Sequence, residues 1–189
     1  MDVTYENLSD KELVVAVLSN KDAFSAIITR YESALRRYIF RLGVRDPRDV
    51  EDILQNSFIK VYRYLLSFDD SFSFSSWIYR IVHNETYDFF RVKKRRPEVT
   101  LDEDSEQLFI NIDSGDDPEK VFDNNIDKGL VMKALENLDK KYRDVLLLRY
   151  SEDKDYRQIS DILQIPEGTV ATLIHRGKAA LKKSLTKET

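Results

Sequence analysis

Asn84, Asp88, Arg91 and Arg95 follow one another at intervals of four, three and four residues in the stretch SWIYRIVHNETYDFFRVKKRR. At about 100° per residue they fall within an arc of about 60° on a single helix. An amide, a carboxylate and two guanidiniums placed side by side, running into Lys93, Lys94 and Arg96, suit base edges and phosphates. The same residues also describe a solvated face carrying an Asp88–Arg91 ion pair worth about a few tenths of a kcal/mol. Spacing alone leaves both readings open.

Just upstream, Phe68, Phe72, Phe74, Trp77 and Tyr79 crowd into twelve residues. Aromatic faces beside a basic helix are platforms on which unpaired bases stack. Most members of such a cluster belong to a core, so Phe74 and Trp77 are expected to be buried, leaving the loop of residues 67–73 to capture bases. A third constellation lies near the end of the chain. Val170, Ile174, Gly177 and Leu181 share one helical side, and Thr172, His175, Arg176, Ala179 and Lys183 point the other way. Small and polar groups flanked by cations are what a helix entering the major groove presents, although an amphipathic surface helix has the same pattern. A fourth face lies on the helix that starts at Asp46-Pro47. There Val50, Leu54, Phe58, Val61 and Leu65 form the core stripe, while Asp52, Gln55, Asn56, Ile59, Arg63 and Leu66 lie opposite. Apolar Ile59 and Leu66 on a side that should be wet point to a protein partner, or to the isolated exposed apolar residues common on any surface.

Catalysis finds little footing. Asp102, Glu103 and Asp104, or Glu51 and Asp52, are paired carboxylates without a glycine-rich phosphate loop, a histidine base or a nucleophile beside them. No metal site and no cofactor are expected. His175 has only His83 as a histidine partner, in the other half of the chain, and there is no cysteine.

The elements that must position these faces are helices. Among 189 residues there are 5 Gly and 4 Pro, too few for a turn-rich β architecture. The expected fold is all-α, with two small helical domains. Ser9 caps a helix over residues 10–18, and Asn20 caps a longer one that stops at Gly43. The Asp46-Pro47 helix runs to about residue 66, and another covers about residues 75–94. In the C-terminal block helices are expected near residues 127–138, 140–151, 156–163 and 167–187, the last two joined by a helix-turn-helix corner at Pro166. Charge divides the chain in the same way. Residues 1–97 hold 16 Lys/Arg against 14 Asp/Glu, residues 98–128 hold 2 against 11, and residues 129–189 hold 12 against 9. The acidic middle, broken by Pro97, Gly115 and Pro118, reads as a linker whose Leu101, Leu108, Phe109 and Ile110 are apolar enough to dock. The net charge of −4 therefore does not exclude a polyanion ligand. With no signal-like start and no apolar run of about eighteen residues, a cytoplasmic chain is expected.

Four stretches carry a family resemblance: AFSAIITRYESALRRY, DVEDILQNSFIKVYRYLLSF, FSFSSWIYRIVHNETYDFFRVKKRR and ALENLDKKYRDVLLLRYSEDKDYRQISDILQIPEGTVATLIHRGKAAL. In this order they resemble the extracytoplasmic-function (ECF) sigma factors, the small two-domain initiation subunits of bacterial RNA polymerase. The resemblance implies a region 2 domain over residues 1–97, a linker over 98–126 and a region 4 helix-turn-helix domain over 127–189. It implies that Asp52, Gln55, Asn56, Ile59 and Arg63 dock on the clamp coiled coil of the polymerase's largest subunit. Phe68, Ser71, Phe72, Asn84, Asp88, Arg91 and Arg95 would melt the minus-ten element and hold its single strand. Ala171, Thr172, His175, Arg176, Lys178 and Lys183 would read the minus-thirty-five element as duplex. The linker would thread toward the RNA exit path, and an anti-sigma factor is a possible further partner. Two departures stand out: Leu138-Asp139 where the family has Leu-Pro, and Ala171-Thr172-Leu173 where it has a basic-Ser-Arg run. The second implies weaker or differently specified duplex reading, since two cations are missing. The competing readings are a helix-turn-helix regulator acting without polymerase and a helical adaptor or inhibitor that contacts only proteins.

Overall fold

The computed structural model describes residues 5, 7–95 and 128–186, and among them every regular element is helical. Helices α1 (Asp10–Ser19), α2 (Phe24–Arg41), α3 (Pro47–Tyr64) and α4 (Phe74–Arg95) form the N-terminal module. Helices α5 (Lys128–Glu136), α6 (Lys140–Tyr150), α7 (Tyr156–Leu163) and α8 (Glu167–Leu185) form the C-terminal one. The expected all-α, two-module arrangement holds. The proposed linker contacts of Leu101, Leu108, Phe109 and Ile110 lie outside the described residues.

Local chemistry explains most of the boundaries. The Ser9 amide donates to Glu12 Oε2 at 2.7 Å and the Glu12 amide donates back to Ser9 Oγ, a capping box at the start of α1. Asn20 caps a single 3₁₀ turn, Lys21–Ala23, before α2 begins, so the long helix expected from Asn20 starts four residues later. Gly43 ends it in the left-handed region at φ 111°, where a side chain would be strained. Asp46 caps α3 with Pro47 in its first turn, and α3 tightens at Leu65–Ser67 into another 3₁₀ turn. Asp139, at the first family departure, accepts from the Lys141 amide at 3.2 Å and so caps α6 where the family has proline. Asp155 and Gln158 exchange amide bonds of 2.7 and 3.0 Å to open α7. Gln164, with φ 54°, then turns the chain sharply, and the Ser160 hydroxyl donates to the Ile165 carbonyl at 2.6 Å to hold the corner.

The core stripes follow the predicted periodicity. Val50, Leu54, Phe58, Val61 and Leu65 of the α3 segment are buried, as are Phe74, Trp77, Ile78 and Val82 of α4. Val92 is 51% exposed, because the apolar stripe of α4 gives out beside its basic last turn, Lys93–Arg95. The C-terminal core is built from Val145 to Leu148, Ile159, Ile162, Val170, Ile174 and Leu181.

The two modules pack together, which the sequence gives no means to foresee. A second side of α4, carrying Tyr79, His83 and Tyr87, faces α6, α7 and the turn between them. Tyr79 and His83 are buried there and Tyr87 is half-buried.

Helix α8 reaches α6 through Gly177, where an added Cβ would lie 3.2 Å from Leu146 Cδ1 and 3.3 Å from Tyr142 Cβ. A Gly177→Leu substitution should therefore lower the stability of the C-terminal module by about 1–3 kcal/mol. Urea unfolding followed by circular dichroism measures this. An unchanged midpoint would show that α8 is free to move off α6.

Candidate functional site

On α4, Asn84, Arg91 and Arg95 are exposed and Asp88 is half-exposed, all on the side away from the N-terminal core. The Asp88–Arg91 ion pair is formed, at 3.0 Å, with the two side chains 50% and 63% exposed. Water screens a pair this open, so it is worth about half a kcal/mol at most and yields readily to a phosphate. Lys93 is committed elsewhere, bonded to Asp49 of α3 at 3.0 Å and lying 5.2 Å from the centroid of the Phe89 ring. Lys94 and Arg95 remain as the exposed cations of this end.

The structure divides the aromatic cluster that precedes α4. Phe74 and Trp77 are buried, as expected, and Phe68 packs on both, with ring centroids 5.4 and 5.2 Å away. Phe68 is therefore an anchor of the loop rather than an open stacking surface. Phe72 is 38% exposed and Ser71 is exposed. Between them and the anchor, Asp69 accepts from the Ser71 amide at 2.9 Å, a bond that holds its carboxyl below the usual range. Ser73 Oγ accepts from the Ser76 amide at 3.0 Å and caps α4. The loop is thus fixed at both ends with Ser71 and Phe72 outward.

On α3, Asp52, Gln55, Asn56, Ile59 and Arg63 are all exposed, as periodicity predicts. Gln55, Ile59 and Arg63 line a cavity of about 480 Å³ between α2 and α3, which Asp52 and Asn56 do not reach. Its apolar wall also contains Phe24, Ile28, Leu54, Phe58 and Tyr62, with Glu32 and Glu51 among its polar groups. Phe24 and Ile28 escape a projection of α3 because they lie on α2, and Tyr62 lies on α3 at the border between its core stripe and its exposed side. The four-residue spacing of Phe24 and Ile28 is the one signal that could have found them. Arg36 ties the two sides together, donating to Glu32 at 2.8 Å and pairing with Glu51 at 2.7 Å, which holds the Glu51 carboxyl below its ordinary range.

On α8, Val170, Ile174, Gly177 and Leu181 are buried, and Thr172, His175, Arg176, Lys178, Ala179 and Lys183 are exposed. Ala171 is half-buried. The Thr172 hydroxyl donates back to the Gly168 carbonyl at 2.9 Å. Lys178 lies 5.0 Å from the centroid of the Tyr150 ring. Leu173, where the resembling family has arginine, is half-buried against the core. No group of three potential metal ligands occurs among the described residues, and none of their helices is long and apolar enough to cross a membrane.

Residues 27–96 match the family description "Sigma-70 region 2", and residues 128–181 match "Sigma-70, region 4". The chain is 33% identical over 186 residues to the ECF RNA polymerase sigma factor SigW of Bacillus subtilis, with 95% of this chain and 98% of the relative covered. The chain belongs to the ECF RNA polymerase sigma factors. A second relative of this sigma factor, the ECF RNA polymerase sigma-E factor of Haemophilus influenzae, is 30% identical over 185 residues, covering 95% and 97% of the two chains. Solved structures share the fold, and two of them cover most of the chain. One, of CnrH in complex with the cytosolic domain of CnrY, has a TM-score of 0.70 at 22% identity and covers 95% of this chain and 99% of that one. The other, of the sigma factor RpoE in complex with the anti-sigma factor NepR from Bartonella quintana, has a TM-score of 0.64 at 23% identity, covering 86% and 96%.

The division between Phe68 and Phe72 is measurable. Phe68→Ala should destabilise the N-terminal module of the sigma factor by about 2–3 kcal/mol, and Phe72→Ala by less than about 0.5 kcal/mol. Equal losses in urea titrations of the two variants would mean that the loop is not anchored in this way.

Proposed function

We propose that this ECF sigma factor docks on core RNA polymerase through the α2–α3 groove, opens the minus-ten element with α4 and its preceding loop, and reads the minus-thirty-five element with α8. The observation that carries the reading is that three separate exposed faces, one apolar with a polar border and two polar with cations, lie on two modules in the order the family requires. Asp52, Gln55, Asn56, Ile59 and Arg63 meet the clamp coiled coil of the largest subunit, with Phe24, Ile28 and Tyr62 supplying the apolar floor. Ser71 and Phe72 receive an extruded base on a loop held by Phe68. Asn84, Asp88, Arg91 and Arg95 hold the strand, offsetting an extrusion cost of about a few kcal/mol.

Ala171, Thr172, His175, Arg176, Lys178 and Lys183 contact the duplex. With Ala171 small and Leu173 turned to the core, this face grips fewer phosphates than a basic-Ser-Arg run would. The domains extend over residues 1–97 and 127–189. The linker of residues 98–126, placed by resemblance along the RNA exit path, lies outside the described residues. The protein acts in the cytoplasm and lends specificity to the polymerase without catalytic chemistry of its own. An anti-sigma factor is a fitting restraint, since one of the structures that share its fold is a complex with such a protein. A regulator acting without polymerase would instead shift duplex DNA alone.

Reciprocal variants test the assignment. Arg91→Ala with Arg95→Ala should reduce open-complex formation by about tenfold to a hundredfold while leaving polymerase binding within about twofold. Asp52→Arg with Gln55→Ala should instead reduce co-purification with core enzyme by about tenfold. Parallel loss of both activities in either variant would refute the division of faces.

A further inference from the structure

The chain has two histidines, and they stand in opposite surroundings. His83 of α4 is buried, its Nδ1 hydrogen-bonded to the Tyr38 hydroxyl at 2.9 Å and its ring centroid 4.6 Å from that of Tyr87. Burial, with Lys140 and Arg143 nearby, pushes it down to about 3, so its 3.8 Å approach to Asp144 is that of a neutral ring. His175 is exposed on α8, and its ring takes no hydrogen bond or ion pair among the described residues. Of the two rings only that of His175 meets water, and an exposed imidazole changes charge between about pH 5 and 8.

No carboxylate holds this ring in a charged form before a ligand arrives. Its neighbours one turn away on α8 are Ala171, Thr172, Lys178 and Ala179, with Arg176 next in sequence. Glu167, the one acidic residue of α8, lies about 12 Å back along the helix axis. The helices packed on α8 are α5, α6 and α7. On α6, Lys140, Arg143 and Asp144 are turned to Tyr87, Lys141 is paired with Asp139, and Arg149 donates to the Lys154 carbonyl. Glu136 of α5 is paired with Arg45, while Lys133 of α5 and Arg157 and Asp161 of α7 take no ion pair.

The face around the ring is short of permanent charge for a polyanion. Ala171 carries none and Leu173 is half-buried against the core, which leaves Arg176, Lys178, Lys182 and Lys183. His175 is more than two turns past the start of α8 at Glu167. In a recognition helix the first turns meet base edges, and side chains farther along meet the backbone at the wall of the groove. A neutral imidazole donates one N–H to a phosphate oxygen. The protonated ring donates two and adds a charge, and charge-assisted bonds are about twice as strong as neutral ones. Phosphates within about 4–6 Å favour the charged ring, so binding takes up a proton.

We propose that His175 is a conditional cation of the duplex-reading face, gripping a backbone phosphate of the minus-thirty-five element when protonated and loosening when the proton leaves. The inference rests on the promoter reading above. It makes the hold of this sigma factor on duplex weaken as pH rises through about 6 to 8.

Two other groups could bring a pH response of their own. Asp144 and Glu152 have side chains 4% exposed, and burial raises both carboxyls above their ordinary range. They accept from the Tyr87 and Tyr79 hydroxyls and lie off α8, so substitution at His175 separates their contribution from that of the ring.

The probe is a fluorescent duplex selected from a randomised pool by core polymerase carrying the full-length chain, and binding is read by anisotropy at constant ionic strength. The unsubstituted holoenzyme should bind about tenfold more tightly than His175→Gln at about pH 6 and within about twofold of it at about pH 8. The ratio between variants removes the polymerase's own pH response. His175→Lys, with a permanent cation, should hold the tighter level at both pH values. For the unsubstituted chain the slope of log affinity on log salt should be steeper by about 0.9 at the lower pH, the mark of one phosphate. A ratio to His175→Gln that does not change with pH overturns the proposal, because the proton then goes elsewhere. Equal salt slopes at the two pH values overturn it too, since the ring would then lie on a base edge.

Carbon-13 NMR of the histidine rings in the free full-length chain gives a readout that needs no promoter. One ring should change charge between about pH 5 and 8, and its signal should be the one missing from His175→Gln. Two titrating rings, or none, overturn the assignment. If the holoenzyme binds no member of the pool, the promoter reading fails and the proposal falls with it. If it binds with a flat ratio, the promoter reading stands and the proposal alone fails.

Discussion

Helix α4 must satisfy three environments at once, and the rest of the molecule is arranged around that constraint. A helix buries one stripe easily, because residues three and four apart share a face. Here Ile78 and Val82 belong to the N-terminal core, Tyr79 and His83 belong to the contact with the C-terminal module, and Asn84 and Arg91 are left to water. The aromatic residues that begin the helix anchor it against α1–α3, and the hydroxyl and imidazole groups on its second side make the packing against α6 and α7 polar. Only the remaining side, with Asn84, Arg91 and Arg95, is open to solvent.

Polar bonds between neighbouring elements hold the proposed working faces, although these are exposed. The groove between α2 and α3 is held by Arg36, which reaches Glu32 on one helix and Glu51 on the other. The last turn of α4 is tied to α3 by the bond from Lys93 to Asp49. The corner between α7 and α8 is closed by the Ser160 hydroxyl and the left-handed Gln164. In each case charged or polar side chains outside the core set the geometry, while the apolar stripes supply the stability.

Much of this was legible in the sequence because it is local. Capping residues at Ser9 and Asp46, the break at Gly43 and the apolar periods of α3 and α8 act within a few residues, and the helices form where these signals place them. The exposed sides of α3, α4 and α8 follow from the same periods. The pairing of modules was not legible. Tyr79 stands in an aromatic cluster and His83, Tyr87, Asp144 and Glu152 carry no local signal of burial, because the contacts that bury them join residues more than fifty positions apart. The groove required two helices to be placed side by side, and Phe68 became an anchor only because Phe74 and Trp77 fold back beneath it.

The bond from the Thr172 hydroxyl to the Gly168 carbonyl alters what α8 offers to a partner. With its proton turned back into the helix, the side chain presents a methyl group and an oxygen that can only accept. A methyl on a reading helix favours the C5-methyl of thymine over the amino edge of cytosine. On the proposed reading of α8, with half-buried Ala171 and Leu173 beside that methyl, promoters would be sorted in part by hydrocarbon fit, a preference that persists when rising ionic strength has weakened the grip of its cations.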